Sequence, residues 1–169
     1  MRVLLHSVVV ILVLLLSACG FQLRGAYTLP FESLYLGVPD TSLIGAGLKR
    51  QIRASGAVRL VDTPKEAQAS FYMTYDAREP VILSFSGSGN VREKRLYYRF
   101  GYRVVDSKGL NLIVPGMIEL SRDLTYADSA VLAKTQEEEL LWRDMESDVV
   151  QQLMRRLSAA KPMPPPAIE

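Results

Sequence analysis

The sequence is nearly devoid of histidine and cysteine. It contains one of each, His6 and Cys19, both near its start. Beyond Cys19 there is no imidazole for acid–base catalysis, no thiol nucleophile and no ordinary zinc-ligand set. A lone cysteine also excludes an intrachain disulfide, so the apolar core must hold the domain together. We therefore expect no metal, no cofactor and no enzymatic activity.

Other catalytic patterns are also missing. The segment Gly87–Gly89 is too short for a phosphate-binding loop and does not join a strand to a helix. Glu137–Glu139 are consecutive, so their side chains would point apart on a helix. This arrangement favours a solvated surface over a catalytic carboxylate pair.

A strong net charge of either sign is absent as well. The chain has 20 Lys and Arg residues against 18 Asp and Glu, and setting Arg2 aside with residues 1–18 leaves 19 against 18. This balance argues against a basic nucleic-acid-binding protein. Taking those 18 residues from 169 leaves 151, which suits one domain with a real core.

One long apolar run is present, at the N-terminus. Val8 to Leu16 follows the basic Arg2 and precedes the small residues Ser17 and Ala18, the order typical of a signal peptide. Leu16–Gly20 resembles a bacterial lipobox, in which the cysteine thiolate accepts a diacylglyceryl group. We expect residues 1–18 to be removed and Cys19 to carry the lipid. A non-lipidated secretory signal and a single N-terminal membrane helix are the alternatives.

The first half of the chain predicts a strand, a helix and further extended segments. A strand is expected over Leu34–Val38, followed by a helix capped by Asp40 or Thr41 and ended by Gly56. Its apolar positions are four residues apart: Ile44, Leu48 and Ile52. Further extended segments are expected at 58–61, 71–75 and 81–85, with Pro80 marking an edge position or a bulge.

The second half predicts two more strands and a long helix. Ser84–Asn90 has the composition of a hairpin tip, and Leu96–Val105 has large apolar residues at every second position, with Tyr97, Arg99 and Arg103 on the other face. The return strand covers 110–114 and 117–126, with a bulge or kink at Pro115-Gly116. A helix capped by Asp128 or Ser129 extends to Leu157. Its apolar stripe is the following: Leu141, Trp142, Met145, Val149, Val150, Leu153, Met154 and Leu157.

These elements predict an α+β fold in the order β-α-β-β-β-α. Two helices would pack on one face of a mostly antiparallel, roughly four-stranded sheet. We expect a single domain over residues 19–158, including its N-terminal lipidated tether. Residues 159–169 are rich in proline and are expected to be disordered.

The residues Cys19-Gly20-Phe21-Gln22-Leu23-Arg24-Gly25 resemble the mature start of LptE, the lipopolysaccharide (LPS)-assembly lipoprotein family of Gram-negative outer membranes. The resemblance extends to Leu34–Ile52, to Arg95–Val105 and to the helix with Leu132-Ala133-Lys134 and Met145-x-x-Asp148. It therefore covers nearly the whole mature chain.

The resemblance implies that the protein plugs and helps assemble the β-barrel LPS translocon LptD, and takes part in LPS delivery to the outer leaflet. It also implies N-acylation, for example by palmitate, and an S-diacylglycerol group on Cys19, facing the periplasm. Gly20 is compatible with sorting to the outer membrane. The alternative is a free periplasmic-facing lipoprotein that binds a small lipid or serves another transport system.

Four basic residues are candidates for LPS contact, because LPS carries phosphates that arginine and lysine bind. Arg92, Lys94 and Arg95 follow the hairpin tip, and Lys134 lies in the first turns of the long helix, whose positive end favours anions. Alternatively, all four are solvated charges, with Lys134 paired to Glu138.

Overall fold

The computed structural model describes residues 27–56, 58–126 and 131–161. In these segments five strands form one sheet, with two long helices packed against one of its faces. The elements are β1 (Ser33–Gly37), α1 (Leu43–Ser55), β2 (Arg59–Val61), β3 (Ala69–Phe85), β4 (Val91–Asp106), β5 (Asn111–Thr125) and α2 (Val131–Ser158), with a short 3-10 turn at Pro64–Glu66. The predicted α+β class is confirmed.

The sheet is mixed, in the order β2-β1-β3-β4-β5. β1 is parallel to both β2 and β3, whereas β3-β4 and β4-β5 are antiparallel hairpins. The expected strand count is thus corrected from four to five, because the segment after α1 forms the short edge strand β2. The parallel pairing follows from α1, since a helical crossover returns the chain in the direction of the strand before it.

Helix α1 begins and ends at local signals. The Ser42 side chain accepts a hydrogen bond from Gly45 N at 3.2 Å, and Gly56 ends the helix with a φ of 66°. The predicted end is confirmed, whereas the predicted caps Asp40 and Thr41 are wrong. Asp40 instead accepts a hydrogen bond from Lys49 Nζ at 3.1 Å. Its carboxylate therefore contacts a side chain of α1 rather than the backbone of the first turn.

Strand β3 has neighbours on both sides only near its start. Residues 69–72 pair with β1, but the remainder of β3 pairs with β4 alone. Pro80 falls in this second part, which confirms its predicted edge position. The β5 bulge is also confirmed, because the register shifts between the pairs Tyr102–Gly116 and Val104–Ile113.

The core lies between the helices and the adjacent sheet face. The β4 residues predicted to face inward are all buried: Leu96, Tyr98, Phe100, Tyr102 and Val104. The α2 stripe from Trp142 to Leu157 is buried against them, and Leu141 is half-buried. The predicted α2 caps, Asp128 and Ser129, lie outside the described residues.

The C-terminal end of the described chain packs on the sheet. Ala160 is buried, and Lys161 N donates to Leu112 O at 3.2 Å. The expected disorder is therefore wrong for 159–161, because the backbone there hydrogen-bonds to β5. Residues 162–169, the signal segment and Cys19 lie outside the described residues.

Candidate functional site

Lys94 is held at the junction of sheet and helix. Its Nζ donates to Glu138 Oε2 of α2 at 2.9 Å and lies 5.1 Å from the centroid of the Tyr126 ring. The side chain is only 21% exposed. Hydrogen bonding to Tyr126, together with the contact to Glu138, raises the pKa of Lys94 against the opposing effect of burial. Lys94 is therefore a cation in a fixed position.

Glu138 is the shared acceptor of this junction. Its Oε2 also accepts a hydrogen bond from Tyr126 Oη at 2.8 Å. Burial would raise the pKa of Glu138, but the hydrogen bonds from Lys94 and Tyr126 outweigh it, and the pKa is lowered. One carboxylate therefore ties α2 to both β4 and the residue that follows β5.

Lys134 does not pair with Glu138, so that expected contact is wrong. Its Nζ donates to Glu137 Oε2 at 2.7 Å, and its side chain is 22% exposed. Glu138 is occupied by Lys94, which leaves Glu137 as the acidic neighbour that Lys134 reaches. Residues four apart lie on the same face of a helix, so Lys134 shares the sheet-facing side with Glu138, about 6 Å closer to the hairpin tip.

Arg92 lies on β4, toward the same hairpin-tip end of the sheet as Lys134. It is two positions before Lys94, or about 7 Å nearer the tip, and its carbonyl accepts from Tyr126 N at 2.8 Å. Its side chain is exposed, and no ion pair involves it among the described residues. Arg92, Lys94 and Lys134 therefore all lie toward the hairpin-tip end of the sheet.

Arg95 is directed elsewhere. Successive strand residues point to opposite faces, so Arg95 lies on the face of the sheet without helices, which we call the open face. Its Nε and Nη2 donate to the two carboxylate oxygens of Asp123 on β5 at 2.6 and 2.9 Å. The hydrogen bonds from Arg95 lower the pKa of Asp123. The structure thus separates Arg95 from the other three predicted residues.

The open face carries further paired charges and aromatic rings. Arg99 donates to Glu119 at 2.5 Å and to Glu79, so it links β4 to both neighbouring strands. Its guanidinium also lies 5.3 Å from the Tyr97 ring centroid, and that of Arg103 lies 5.7 Å from the Tyr72 ring centroid. Arg99 is thus compensated by carboxylates on both neighbouring strands, whereas Arg103 lies against an aromatic ring.

Sequence reasoning missed the polar contacts between α2 and the sheet. Arg78 on β3 pairs with the buried Glu146 and lies 5.6 Å from the Trp142 ring centroid, while Arg122 on β5 pairs with Asp148 at 2.6 Å. The available signal was strand alternation, which places Arg78 on the helix side. Its partner could not be inferred because it lies 68 residues away.

One groove of the described structure lies at the contact between the two helices, with Glu146 among its lining residues. It has a volume of about 430 Å³, runs between α1 and α2, and has Arg50 and Arg143 among its lining residues. None of the four predicted LPS-contact residues lines it. The described segments contain no cluster of acidic, histidine or cysteine residues suited to a metal ion.

Comparison with known proteins identifies the family. Residues 31–157 match the family LptE, lipopolysaccharide-assembly. A solution structure of uncharacterized lipoprotein B from Nitrosomonas europaea is 39% identical, with a TM-score of 0.70 over 83% of this chain and 91% of that one. The chain belongs to the LptE family. It is thus related to lipoproteins of LPS assembly, and the family is one of assembly proteins rather than enzymes.

Two further structures share the LptE fold. Rare lipoprotein B from Shewanella oneidensis is 25% identical, with a TM-score of 0.65 over 76% of this chain and 95% of that one. A minor lipoprotein from Acinetobacter baumannii is 22% identical, with a TM-score of 0.64 over 82% of this chain and all 100% of that one. A search of curated proteins found no match. In the described segments, neither helix is sufficiently long and apolar to cross a membrane.

Proposed function

We propose that this LptE-family protein is an outer-membrane lipoprotein anchored on the periplasmic side through lipid on Cys19. In this proposal it occupies the lumen of the β-barrel LptD, helps that barrel assemble and takes part in LPS delivery. The observation that carries the proposal is the family match over residues 31–157, which spans nearly all of the folded domain.

The paired charges of the open face support a position inside a barrel. Arg95 pairs with Asp123, and Arg99 pairs with Glu79 and Glu119. The lumen of a membrane barrel is polar, and ionic groups leave water with the least penalty when each already has a partner. The guanidinium groups of Arg95 and Arg99 can therefore be enclosed while each keeps an acidic partner.

The site proposed for LPS phosphates consists of Arg92, Lys94 and Lys134. Arg92 is exposed and can bind a phosphate through two parallel hydrogen bonds. Lys94 and Lys134 already contact carboxylates, so a phosphate would replace Glu138 and Glu137 respectively. Arg95 stands outside this site because it faces the opposite side of the sheet.

Isolation of the native protein tests the proposed function. Purification in mild detergent should recover LptD in a one-to-one complex, identified by mass. Depletion of the protein should lower the amount of assembled LptD and admit bulky hydrophobic antibiotics. Recovery of a lone subunit, with barrel levels and the permeability barrier intact on depletion, would instead support a free lipoprotein.

A further inference from the structure

The far end of the β3–β4 hairpin exposes a cluster of large apolar side chains. Val81, Ile82, Leu83 and Phe85 are 43%, 46%, 46% and 60% exposed, and we call them the apolar tip. The turn beyond them is ordered, since Ser86 N donates to Asn90 O at 2.7 Å. Apolar side chains concentrated at one exposed place on a protein commonly mark a binding surface.

The apolar tip is exposed on both faces of the sheet. Val81 pairs with Arg95 on the open face, and Ile82 pairs with Lys94 on the helix side. Leu83 falls at a register shift between these pairs and the last residues of the hairpin. A flat protein surface would cover only one of the two faces. Acyl chains can surround both, whereas the polar lumen of a barrel offers neither face an apolar contact.

Cations lie directly beside the apolar tip. Arg95 and Lys94 are the cross-strand neighbours of Val81 and Ile82, and Arg92 lies at the register shift next to Phe85. This combination matches an amphiphile with acyl chains on one side and anionic groups on the other. The tip also lies about 50 Å along β3 from the end of the sheet where the N-terminal segment enters.

We propose that the apolar tip is a binding site for the acyl chains of LPS, with Arg92 and Lys94 beside it contacting its phosphates. This inference rests on the proposed role in LPS assembly and adds to it the part of the lipid that the hairpin binds.

A matched pair of double variants tests the inference. Ile82→Ser/Phe85→Ser removes apolar surface at the tip, and Leu43→Ser/Val114→Ser removes side chains of comparable exposure, 58% and 65%, elsewhere. All samples are the secreted full chain with Cys19→Ala, so that no attached lipid contributes. Each is titrated with LPS and with deacylated LPS, which keeps the sugars and phosphates.

The tip variant should bind LPS about tenfold more weakly, because part of the apolar burial of two large side chains is lost. Its affinity for deacylated LPS should be unchanged, and the control should match wild type for both ligands. Equal affinity of the tip variant and the control for LPS would overturn the inference, as would an equal loss for both ligands. If wild type bound neither ligand, the LPS contact in the proposed function would fail too.

A spectroscopic variant excludes other occupants. Phe85→Trp places an indole at the tip. The chain already contains the buried Trp142, and its emission is subtracted using wild type. LPS should shift the added emission to the blue, and phosphatidylcholine vesicles should not. An equal shift with vesicles would assign the tip to a bilayer and overturn the inference. If the tip variant failed to capture LptD but kept its LPS affinity, the tip would be a protein contact. That result would also overturn the inference.

Discussion

Glu138 illustrates how much depends on a single residue in this protein. It accepts hydrogen bonds from Lys94 and Tyr126, and so connects α2 to the distal end of the sheet. Because the folded state lowers the pKa of Glu138 below its ordinary 4.5, the unfolded state binds more protons in that range. The stabilisation is present above pH 4.5 and is lost as the pH falls through the lowered pKa.

Glu138→Gln should therefore lower the free energy of unfolding at pH 7 by about 1 kcal/mol, because a partly buried charged hydrogen bond is weakened. The difference from wild type should shrink as the pH falls below 4.5. Denaturant titrations at pH 7 and at about pH 3 measure this. Glu139→Gln, at the exposed next position, controls for the lost charge, and a pH-independent difference for Glu138→Gln would contradict the prediction.

The proposed phosphate site is also tested with single residues. Arg92→Asp combined with Lys134→Asp should leave circular dichroism and melting unchanged but weaken LPS binding about tenfold, since two cationic contacts are reversed. The effect should be largest at low salt, where screening is weak. Arg50→Asp/Arg53→Asp on exposed positions of α1 makes the same charge change elsewhere. Equal LPS affinity of the two folded variants across a salt series would reject the site.

At the scale of elements, α2 has two different modes of attachment. Its C-terminal half buries an apolar stripe that includes Val149, Leu153 and Leu157. Charge pairs to the sheet lie along α2 as well, through Glu138 in its N-terminal half and through Glu146 and Asp148 just past its middle. The contact nearest the hairpin tip is thus the one through Glu138, which an anionic ligand of Lys94 would compete with.

The start of α1 provides a prediction about stability. Ser42→Ala should lower the free energy of unfolding by about 1 kcal/mol, because the cap on Gly45 N is lost. Thr41→Ala removes a hydroxyl one position earlier and should change it little. Thermal and denaturant unfolding of the two variants distinguishes them. If Thr41→Ala lowered the free energy of unfolding more than Ser42→Ala does, Thr41 would be the cap, as one of the two predictions from sequence had it.

At the scale of the whole molecule, the two ends of the sheet have different roles. The N-terminal segment enters near Ser33, where β1, β2 and the start of β3 meet, and the two hairpins extend away from it. The proposed lipid contacts lie at the far end. The proposed LPS-binding end thus lies opposite the end of the sheet where β1 begins.

Anchoring is tested by Cys19→Ala in the full chain, expressed in excess of any partner. The variant should appear in the soluble periplasm with an unchanged melting temperature, because Cys19 precedes every element of the fold. Gln22→Ala in the same segment keeps the thiol and should stay with the membrane. A processed Cys19→Ala variant found in membranes at the wild-type level would show that lipid is not the anchor.

Much of the fold could be predicted because the signals are local. The period of two over Leu96–Val105 and the apolar stripe ending at Leu157 predicted which residues enter the core, and the structure confirms both. A side chain's face is set by its own element, so a short window of sequence is sufficient. The same reasoning predicted the end of α1 at Gly56 and the bulge near Pro115.

The sequence by itself thus determined the helices, the long hairpins, the core and the family resemblance. The tertiary structure decided the pairings: β1 beside β3, Lys94 with Glu138, and Arg95 with Asp123 on the opposite face. The two ion pairs join residues that are 44 and 28 positions apart in the sequence. Which residues pair depends on the register of the strands and on where α2 crosses the sheet. Neither can be predicted from a short window of sequence.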